Sequence, residues 1–311
     1  MENQILQRMC RGRGLVIDRI NPREDLLLPP SCSPEHLVLY KNLLDHYAVR
    51  LILREVIKSE SVTQWQRNRK SLERFCDPEA LDSFLSSLEG LGVIKDIQGR
   101  NPSSWTFVRS FGPTYEWYVS RVISADLGCP AAWGVRFAEM LSGGDHDVIA
   151  SVSGRFLYLE AKTAPPKHIE QPEISGFVRR LFDIAPDIAI FHNDTHLRMK
   201  DKIVPMLEEG IEQFRVHPPS PRLRRTGSPE SRERSLPLKA NHSRLIGKQG
   251  RFSRLEREIF QLDSCIYVIN SKPDLRRNLV VVLRHHFRAE NAVLRALEGR
   301  GGQGKDRPKN T

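Results

Sequence analysis

The chain has 311 residues, of which 39% are hydrophobic and 28% charged, and this composition is typical of a globular protein with room for two domains. No apolar run approaches the roughly 20 residues of a membrane helix, and the polar start lacks the apolar core of a signal peptide, so we expect a cytoplasmic protein without a membrane partner. Five cysteines without a CxxC pair favour reduced thiols over a disulfide framework or a zinc site.

The charge of the chain is strongly basic and unevenly distributed. Lysine and arginine outnumber aspartate and glutamate by 48 to 38, and the net charge of +10 favours a polyanionic partner such as nucleic acid. Residues 216–257 contain 11 basic and three acidic residues. We predict a basic disordered insertion at about 216–252, which either grips phosphates without regard to sequence or is expendable.

The first third of the chain is predicted to be helical after an irregular N-terminal extension at 1–33. One long helical pattern starts at Pro34, and a second helix is predicted near 61–75. A third helix follows Asp77, which can cap it with Pro78 at its first position. Two alternating runs separated by a turn-rich segment then predict a hairpin that ends near residue 110.

Three helices closed by a hairpin resemble a winged helix-turn-helix, so residues 34–110 are predicted to form a winged-helix-like nucleic-acid-binding domain. Polar side chains of its second helix and hairpin are the candidate contacts to phosphates and base edges. They are Gln64, Gln66, Arg67, Arg69, Lys70, Lys95 and Arg100. A solvated face in a domain used for packing or for a homodimer is the alternative.

Residues 111–290 change to a helix followed by alternating strands and helices, which predicts an α/β domain interrupted by the basic insertion. Its last two strands are predicted in the apolar runs SCIYVIN and NLVVVLRH. On such a strand the adjacent His285 and His286 would point to opposite faces, which argues against a shared metal. Residues 291–311 are predicted to be a helix end and a flexible tail.

Two runs in the middle of the chain, DHDVIASV and RFLYLEAK, carry charges into apparent core strands. Ser153–Gly154 between them predicts a two-residue hairpin turn. This register places Asp147 across from Glu160 and Asp145 across from Lys162. Facing carboxylates about 5 Å apart repel each other, and carboxylates with water and phosphate are typical ligands of Mg²⁺. A solvated ladder of cross-strand salt bridges is the alternative.

Asp147 and the triplet Glu160-Ala161-Lys162 resemble the motif of the PD-(D/E)XK nuclease superfamily, although the motif's proline is missing. Glu116 in GPTYEWY stands where the first core helix of that family often carries a glutamate. The resemblance implies a restriction-endonuclease-like mixed sheet flanked by helices. It also implies a metal held by Asp147, Glu160 and Glu116, with Lys162 positioning the attacking water or stabilising the pentavalent phosphate.

The predicted function is therefore a Mg²⁺-dependent endonuclease that hydrolyses phosphodiester bonds of DNA, with Mn²⁺ as a substitute metal. RNA remains an alternative substrate. The alternative from another class is a non-catalytic nucleic-acid-binding or regulatory protein that retains a nuclease-like fold.

Overall fold

A mixed eight-stranded sheet lies at the centre of the chain, with helices against both of its faces. The structure, a computed structural model, describes residues 2–301 except 24, 60, 96–102, 105–107, 139, 141, 142, 217–251, 263 and 264. No helix within these ranges is long and apolar enough to cross a membrane.

The elements are numbered in chain order. In the described part of the chain the α-helices are α1 (Glu2–Gly12), α2 (Pro34–Asp45), α3 (Tyr47–Lys58), α4 (Val62–Leu72), α5 (Pro78–Gly90), α6 (Gly112–Arg121), α7 (Gln171–Ile184), α8 (Ile203–Val216) and α9 (Leu275–Gly301). The strands are β1 (Ile17–Arg19), β2 (Ile94–Lys95), β3 (Ser103–Ser104), β4 (Ala131–Phe137), β5 (His146–Val152), β6 (Arg155–Lys162), β7 (Ile188–Asn193), β8 (Ser253–Glu256), β9 (Ile259–Leu262) and β10 (Ile266–Asn270).

The central sheet has the strand order β1-β4-β5-β6-β7-β10-β9-β8, and β2 and β3 form a separate antiparallel pair. β7 runs parallel to both of its neighbours, β6 and β10, and the remaining neighbours in the sheet are antiparallel. The predicted α/β class, with a mixed sheet flanked by helices, is therefore confirmed at this level.

Two apolar layers cover the two faces of the sheet. One layer holds buried side chains of α2–α6 and the start of α9, among them Tyr115, and the other holds those of α1, α7 and α8, among them Phe177. Burial of apolar surface contributes about 25 cal/mol per Å². Because α6 and α7 lie on opposite faces, side chains from both helices can reach the ends of the strands between them.

Local signals explain where several helices begin. Asp77 caps α5 by accepting a hydrogen bond from the Ala80 N–H, and Pro78 occupies the first turn, as predicted. α7 begins with a capping box between Glu170 and Glu173. These short-range contacts satisfy N–H groups that the helix itself leaves without partners.

The prediction of an irregular extension at 1–33 was wrong. Residues 2–12 form α1, whose Leu6 and Cys10 are buried under the sheet, and β1 pairs antiparallel with β4 at the sheet edge. β1 has only three residues, so its alternation is too short to recognise in the sequence. The Arg, Gly and Pro residues around it obscure the apolar contacts that fix this segment.

The predicted single helix from Pro34 is two helices that meet at His46, which has an extended backbone with φ −77° and ψ 121°. Arg50 explains how the break is stabilised. Its Nη1 donates to the carbonyls of Leu44 at 2.5 Å and Asp45 at 3.1 Å, so the last carbonyls of α2 have a buried partner.

The prediction of a last strand in NLVVVLRH was also wrong, because this run lies in α9. Leu275, Leu279 and Val282 recur at helical spacing and are buried, and a short apolar run of this kind fits a buried helix as well as a strand. The hairpin of β8 and β9 was not predicted, because it directly follows the basic segment. The predicted insertion and the tail beyond Gly301 lie largely outside the described residues.

Candidate functional site

The hairpin of β5 and β6 has the register that the sequence predicted. Val152 pairs with Arg155 and Val148 with Leu159. Ser153 and Gly154 both have positive φ, 49° and 76°, as expected for the turn that suits the twist of a two-residue hairpin. One further step in this register places Asp147 opposite Glu160.

The regular pairing of β5 and β6 stops at this step. The Ala161 N–H donates to Asp147 Oδ2 at 2.8 Å, so a carboxylate takes the place that a strand carbonyl would have in a regular ladder. This bond fixes the Asp147 side chain at the opening between the two strands.

Glu160 is completely buried and accepts hydrogen bonds from three side chains. Its Oε1 lies 2.8 Å from Lys162 Nζ and 2.6 Å from Arg180 Nη2. Its Oε2 accepts from Arg180 Nε at 3.2 Å and from the Tyr158 hydroxyl. Burial opposes the charge of Glu160, but Lys162 and then Arg180 hold its pKa below the usual value. The acid is therefore ionised in its buried position.

Glu116 of α6 and Asp147 have the opposite character. Burial, followed by the charges of Asp147 and Glu160, raises the pKa of Glu116 to about 9. Burial, followed by the charge of Glu160, raises the pKa of Asp147 to about 7. The fold thus collects three carboxyl groups near two cations, Lys162 and Arg180, and only Glu160 has a lowered pKa.

Gly134 of β4 packs closely against Pro22, near the Glu116 carboxyl group. A Cβ added at this glycine would lie 4.0 Å from Glu116 Oε2 and 2.7 Å from Pro22 Cγ, and the backbone φ is 54°. A larger residue would be strained here and would collide with Pro22. This glycine gave no recognisable signal in the sequence.

Asp145 does not pair with Lys162, contrary to the prediction. It forms ion pairs with Arg136 of β4 at 3.0 Å and with Arg19 of β1, while Lys162 is bound to Glu160. The two arginines lie on strands at the sheet edge and attract Asp145 away from the hairpin. Because Glu160 is fully buried and Asp145 binds elsewhere, the four charges do not form the alternative solvated ladder.

Three residues beside the cluster were missed in the sequence. Tyr158 lies on the same strand face as Glu160 and contacts it, so strand alternation could have predicted this neighbour. Arg180 lies on a helix 20 positions away in the sequence, and no local pattern predicts its contact with Glu160. The His146 ring packs against Tyr158 with centroids 5.4 Å apart. Burial and then the charge of Arg180 lower the pKa of His146 to about 4, so its imidazole is neutral at pH 7.

The candidate nucleic-acid contacts lie apart from this cluster. Gln66, Arg67 and Lys70 form an exposed polar face of α4, whose opposite face buries Trp65. Gln64 and Arg69 are half-buried, and Arg69 forms an ion pair with Asp82 at 2.6 Å. Lys95 is exposed at the end of β2, and Arg100 lies outside the described residues.

A buried ion network joins α3 to the strand end beside Lys162. Asn193 of β7 pairs with Lys162 of β6, and the N–H of the next residue, Asp194, donates to the Lys162 carbonyl at 2.7 Å. The Asp194 carboxylate binds Arg50 and Arg54 of α3. The helical part of the chain is thereby fixed next to the carboxyl cluster.

The carboxyl groups supply the hard oxygen ligands that Mg²⁺ and Mn²⁺ prefer. Glu116, Asp147 and Glu160 fit such an ion in chemistry, because a cation beside them would offset both the burial and the mutual repulsion that raise the pKa values of Glu116 and Asp147. Among the described residues no group of three or more His, Cys, Asp or Glu side chains has the arrangement of a complete metal site. A cation here would therefore need side-chain movement or further ligands from water and substrate.

We expect the metal-free protein to become less stable as pH rises from about 7 to 9. The folded pKa values of Asp147 and Glu116, about 7 and about 9, lie above the unfolded values of about 3.9 and 4.3. Protonation therefore stabilises the fold fully below the unfolded pKa values, and this contribution is lost as pH rises through the folded values. Urea unfolding in EDTA across this pH range measures the loss.

The control for this prediction is the double variant Asp147→Asn with Glu116→Gln, whose stability should change less with pH over the same range. If the free energy of unfolding of the wild type in EDTA rose with pH over this range, it would contradict the raised pKa values of Asp147 and Glu116.

No protein-family model and no curated protein matches the chain. Among solved structures, the crystal structure of protein VC1899 from Vibrio cholerae is similar, with a TM-score of 0.36 and 15% sequence identity. The alignment covers 54% of this chain and 50% of that one, so this chain spans about half the length of that structure.

Proposed function

We propose that this chain is a metal-dependent endonuclease that hydrolyses phosphodiester bonds of DNA at the cluster of Glu116, Asp147, Glu160 and Lys162. The observation that carries this proposal is the division of charge within the cluster. Glu116 and Asp147 have raised pKa values, and the buried Glu160 is kept ionised by its contacts with Lys162 and Arg180. Strongly shifted carboxyl groups at one spot are typical of catalytic sites.

The order of elements around the cluster supports the finer fold proposal. A helix that carries Glu116 is followed by the antiparallel strands β4, β5 and β6, then by α7 and by β7 parallel to β6. This is the order of the PD-(D/E)XK core that the motif resembles. We therefore propose a restriction-endonuclease-like fold for this part of the chain.

Glu116, Asp147 and Glu160 would hold the ion, and a bound Mg²⁺ supplies activation of water and neutralisation of phosphate charge. The Ala161 N–H keeps the Asp147 carboxylate in place for this task. Two of the carboxyl groups lose their protons when they become ligands, so we expect ion binding to strengthen as pH rises.

Lys162 acts as a charged donor in this proposal. Burial opposes its charge, but Glu160 and then Asp147 raise its pKa above the usual value, so the ammonium group stays protonated at neutral pH. A protonated lysine donates hydrogen bonds to the attacking water or to a phosphate oxygen, and it cannot remove a proton from the water. Its contribution is electrostatic stabilisation of the charge that develops on the phosphate.

The helical part of the chain would place the nucleic acid. The exposed face of α4 with Gln66, Arg67 and Lys70 suits contacts to phosphates, which give affinity that weakens with salt. Helices followed by the β2–β3 pair support the proposal of a winged-helix-like domain at 34–110. The ion network of Asp194 fixes this part of the chain beside the cluster.

One observation favours a second function, a nucleic-acid-binding or regulatory protein without catalysis. Lys162 and Arg180 neutralise the charge of Glu160, and together with the Tyr158 hydroxyl they occupy its acceptor positions. A protein that keeps the fold only for binding would tolerate this closed arrangement, and it would hold DNA equally well in Mg²⁺ and in EDTA.

The experiment that separates the two functions is cleavage of labelled linear, nicked, branched and single-stranded DNA and of RNA, in Mg²⁺, Mn²⁺ and EDTA. We expect the wild type to cut only with metal. We expect Lys162→Ala to cut about 10²–10³-fold more slowly, which is the usual loss when one charge-stabilising donor is removed.

Lys167→Ala is the matched control, because this exposed lysine is near in sequence but makes no contact with Glu160 through its side chain in the structure. Its cleavage rate should equal that of the wild type. Failure of the wild type to cut any substrate, with DNA binding intact in EDTA, would support the second function instead.

A further inference from the structure

We propose that Arg180 is a positioning residue for Glu160. Together with Tyr158 it holds the Glu160 carboxylate in a fixed orientation. A metal ion can then replace the Lys162 ammonium as a partner of Glu160 Oε1. This inference rests on the proposed nuclease function and adds a coupling between ion binding and the release of Lys162.

The hydrogen-bonding capacity of Glu160 is the first step of the argument. An ionised carboxylate offers about four acceptor positions. In the structure Oε1 receives Lys162 and Arg180, and Oε2 receives Arg180 and the Tyr158 hydroxyl. Every position is therefore in use, and an ion can bind Glu160 only where one of these donors leaves.

The donors differ in how firmly they are held. Arg180 contacts both oxygens of Glu160, and its Nε also donates to the Tyr158 oxygen at 2.9 Å. Tyr158 is fully buried, and its ring stacks against Phe177 with centroids 5.9 Å apart. Removal of either donor would therefore break several contacts at once.

Lys162 is held more weakly than these two. Its ammonium makes one contact with Glu160, at 2.8 Å, whereas Arg180 contacts both carboxylate oxygens. A flexible four-carbon stem lets the ammonium swing toward solvent or a phosphate without change in the backbone. Lys162 is therefore the donor that a metal ion displaces.

The position of Arg180 on α7 explains why it stays in place. The neighbouring α7 residues Phe177 and Leu181 are buried against the sheet, and α7 is fixed at its start by the capping box. The guanidinium binds the carboxylate of Glu160, whose side chain is 0% exposed. The helix thus holds the Arg180 guanidinium in place on one side of Glu160. On the other side, a metal ion can replace the Lys162 ammonium.

The test compares Arg180→Gln, Arg180→Lys and the control Arg179→Gln, which changes the exposed neighbour on the same helix. Mn²⁺ affinity is measured by isothermal titration calorimetry without substrate, and kcat and KM are measured with a cleaved DNA. We expect Arg180→Gln to lose about 10–100-fold in Mn²⁺ affinity and in kcat, the usual effect of removing a residue that supports a ligand. KM for DNA should stay unchanged, and Arg180→Lys should recover part of both losses.

A purely structural role for Arg180 would lower the melting temperature but leave Mn²⁺ affinity and kcat of the folded variant within twofold of the wild type, and that result would overturn the inference. If Arg180→Gln does not fold, Arg180→Lys and Tyr158→Phe decide the matter, because each keeps most of the side chain and removes donors to Glu160. Normal Mn²⁺ affinity in both would also overturn it.

The outcomes separate this inference from the proposed function. A wild type that binds Mn²⁺ but cuts nothing rejects the nuclease function, while the Mn²⁺ affinities of the variants still test Arg180. A wild type that does not bind Mn²⁺ rejects both.

Discussion

Replacement of Asp194 by asparagine is expected to lower the free energy of unfolding by about 3–5 kcal/mol, because it removes the anion from a buried pair of arginines. Asp194 is 1% exposed, and it binds Arg50 through both carboxylate oxygens and Arg54 through Oδ2. The Ser271 hydroxyl donates to Oδ1 at 2.6 Å. Two guanidinium groups would be left in the interior without a counter-charge.

The pH dependence of this contribution has a defined sign. Burial opposes the charge of Asp194, but Arg50 and then Arg54 hold its pKa well below the usual range. The unfolded chain has the ordinary aspartate pKa of about 3.9. The stabilisation is therefore complete above this value and is lost progressively as pH falls below it.

Urea unfolding at pH 7 measures the effect. Asp201→Asn is the matched control, because Asp201 forms an exposed ion pair with Arg198 at 3.4 Å, with side chains 65% and 71% exposed. Such pairs contribute about 0–1 kcal/mol. An Asp194→Asn protein within 1 kcal/mol of the wild type would show that the arginines do not depend on this carboxylate.

The Asp147→Asn variant is expected to lose metal-dependent cleavage and to gain stability without metal. A bound ion contributes several kcal/mol to the reaction, so loss of a ligand should slow cleavage by at least about 10³-fold. The neutral amide also removes the cost of burying a charge and the repulsion by Glu160, which together raise the Asp147 pKa, so the metal-free protein should unfold at higher urea at pH 8. Loss of activity together with a gain of stability distinguishes a site residue from a structural one.

Asp145→Asn is the control for this variant, since Asp145 lies two residues away on the same run but binds Arg136 and Arg19. It should keep most of the cleavage activity. Equal loss in the two variants would mean that general damage to the hairpin, and not the loss of a ligand, explains the effect.

The part of the site that could be predicted from sequence is the part fixed by local rules. The Ser153–Gly154 turn determines the hairpin register, and strand alternation then places Asp147 near Glu160. Glu116 came from the family resemblance, and the structure brings it close enough for Asp147 and Glu160 to shift its pKa. The prediction that Asp145 faces Lys162 was wrong, because Asp145 forms ion pairs with arginines on two other strands.

The contacts that could not be predicted join residues far apart in the chain. Arg180 lies 20 positions from Glu160, and Arg50 lies 144 positions from Asp194. Arginine is rarely buried without a partner, and the sequence around Arg50 and Arg54 does not identify one. Only the tertiary structure shows that Asp194 is that partner.

The most direct test of the nuclease account is the cleavage rate of the wild type as a function of Mn²⁺ concentration, with Mn²⁺ occupancy measured by calorimetry on the same sample. We expect no cleavage in EDTA and a rate that rises in proportion to occupancy. Cleavage that persists in EDTA, or full occupancy without cleavage of any DNA or RNA substrate, would contradict it.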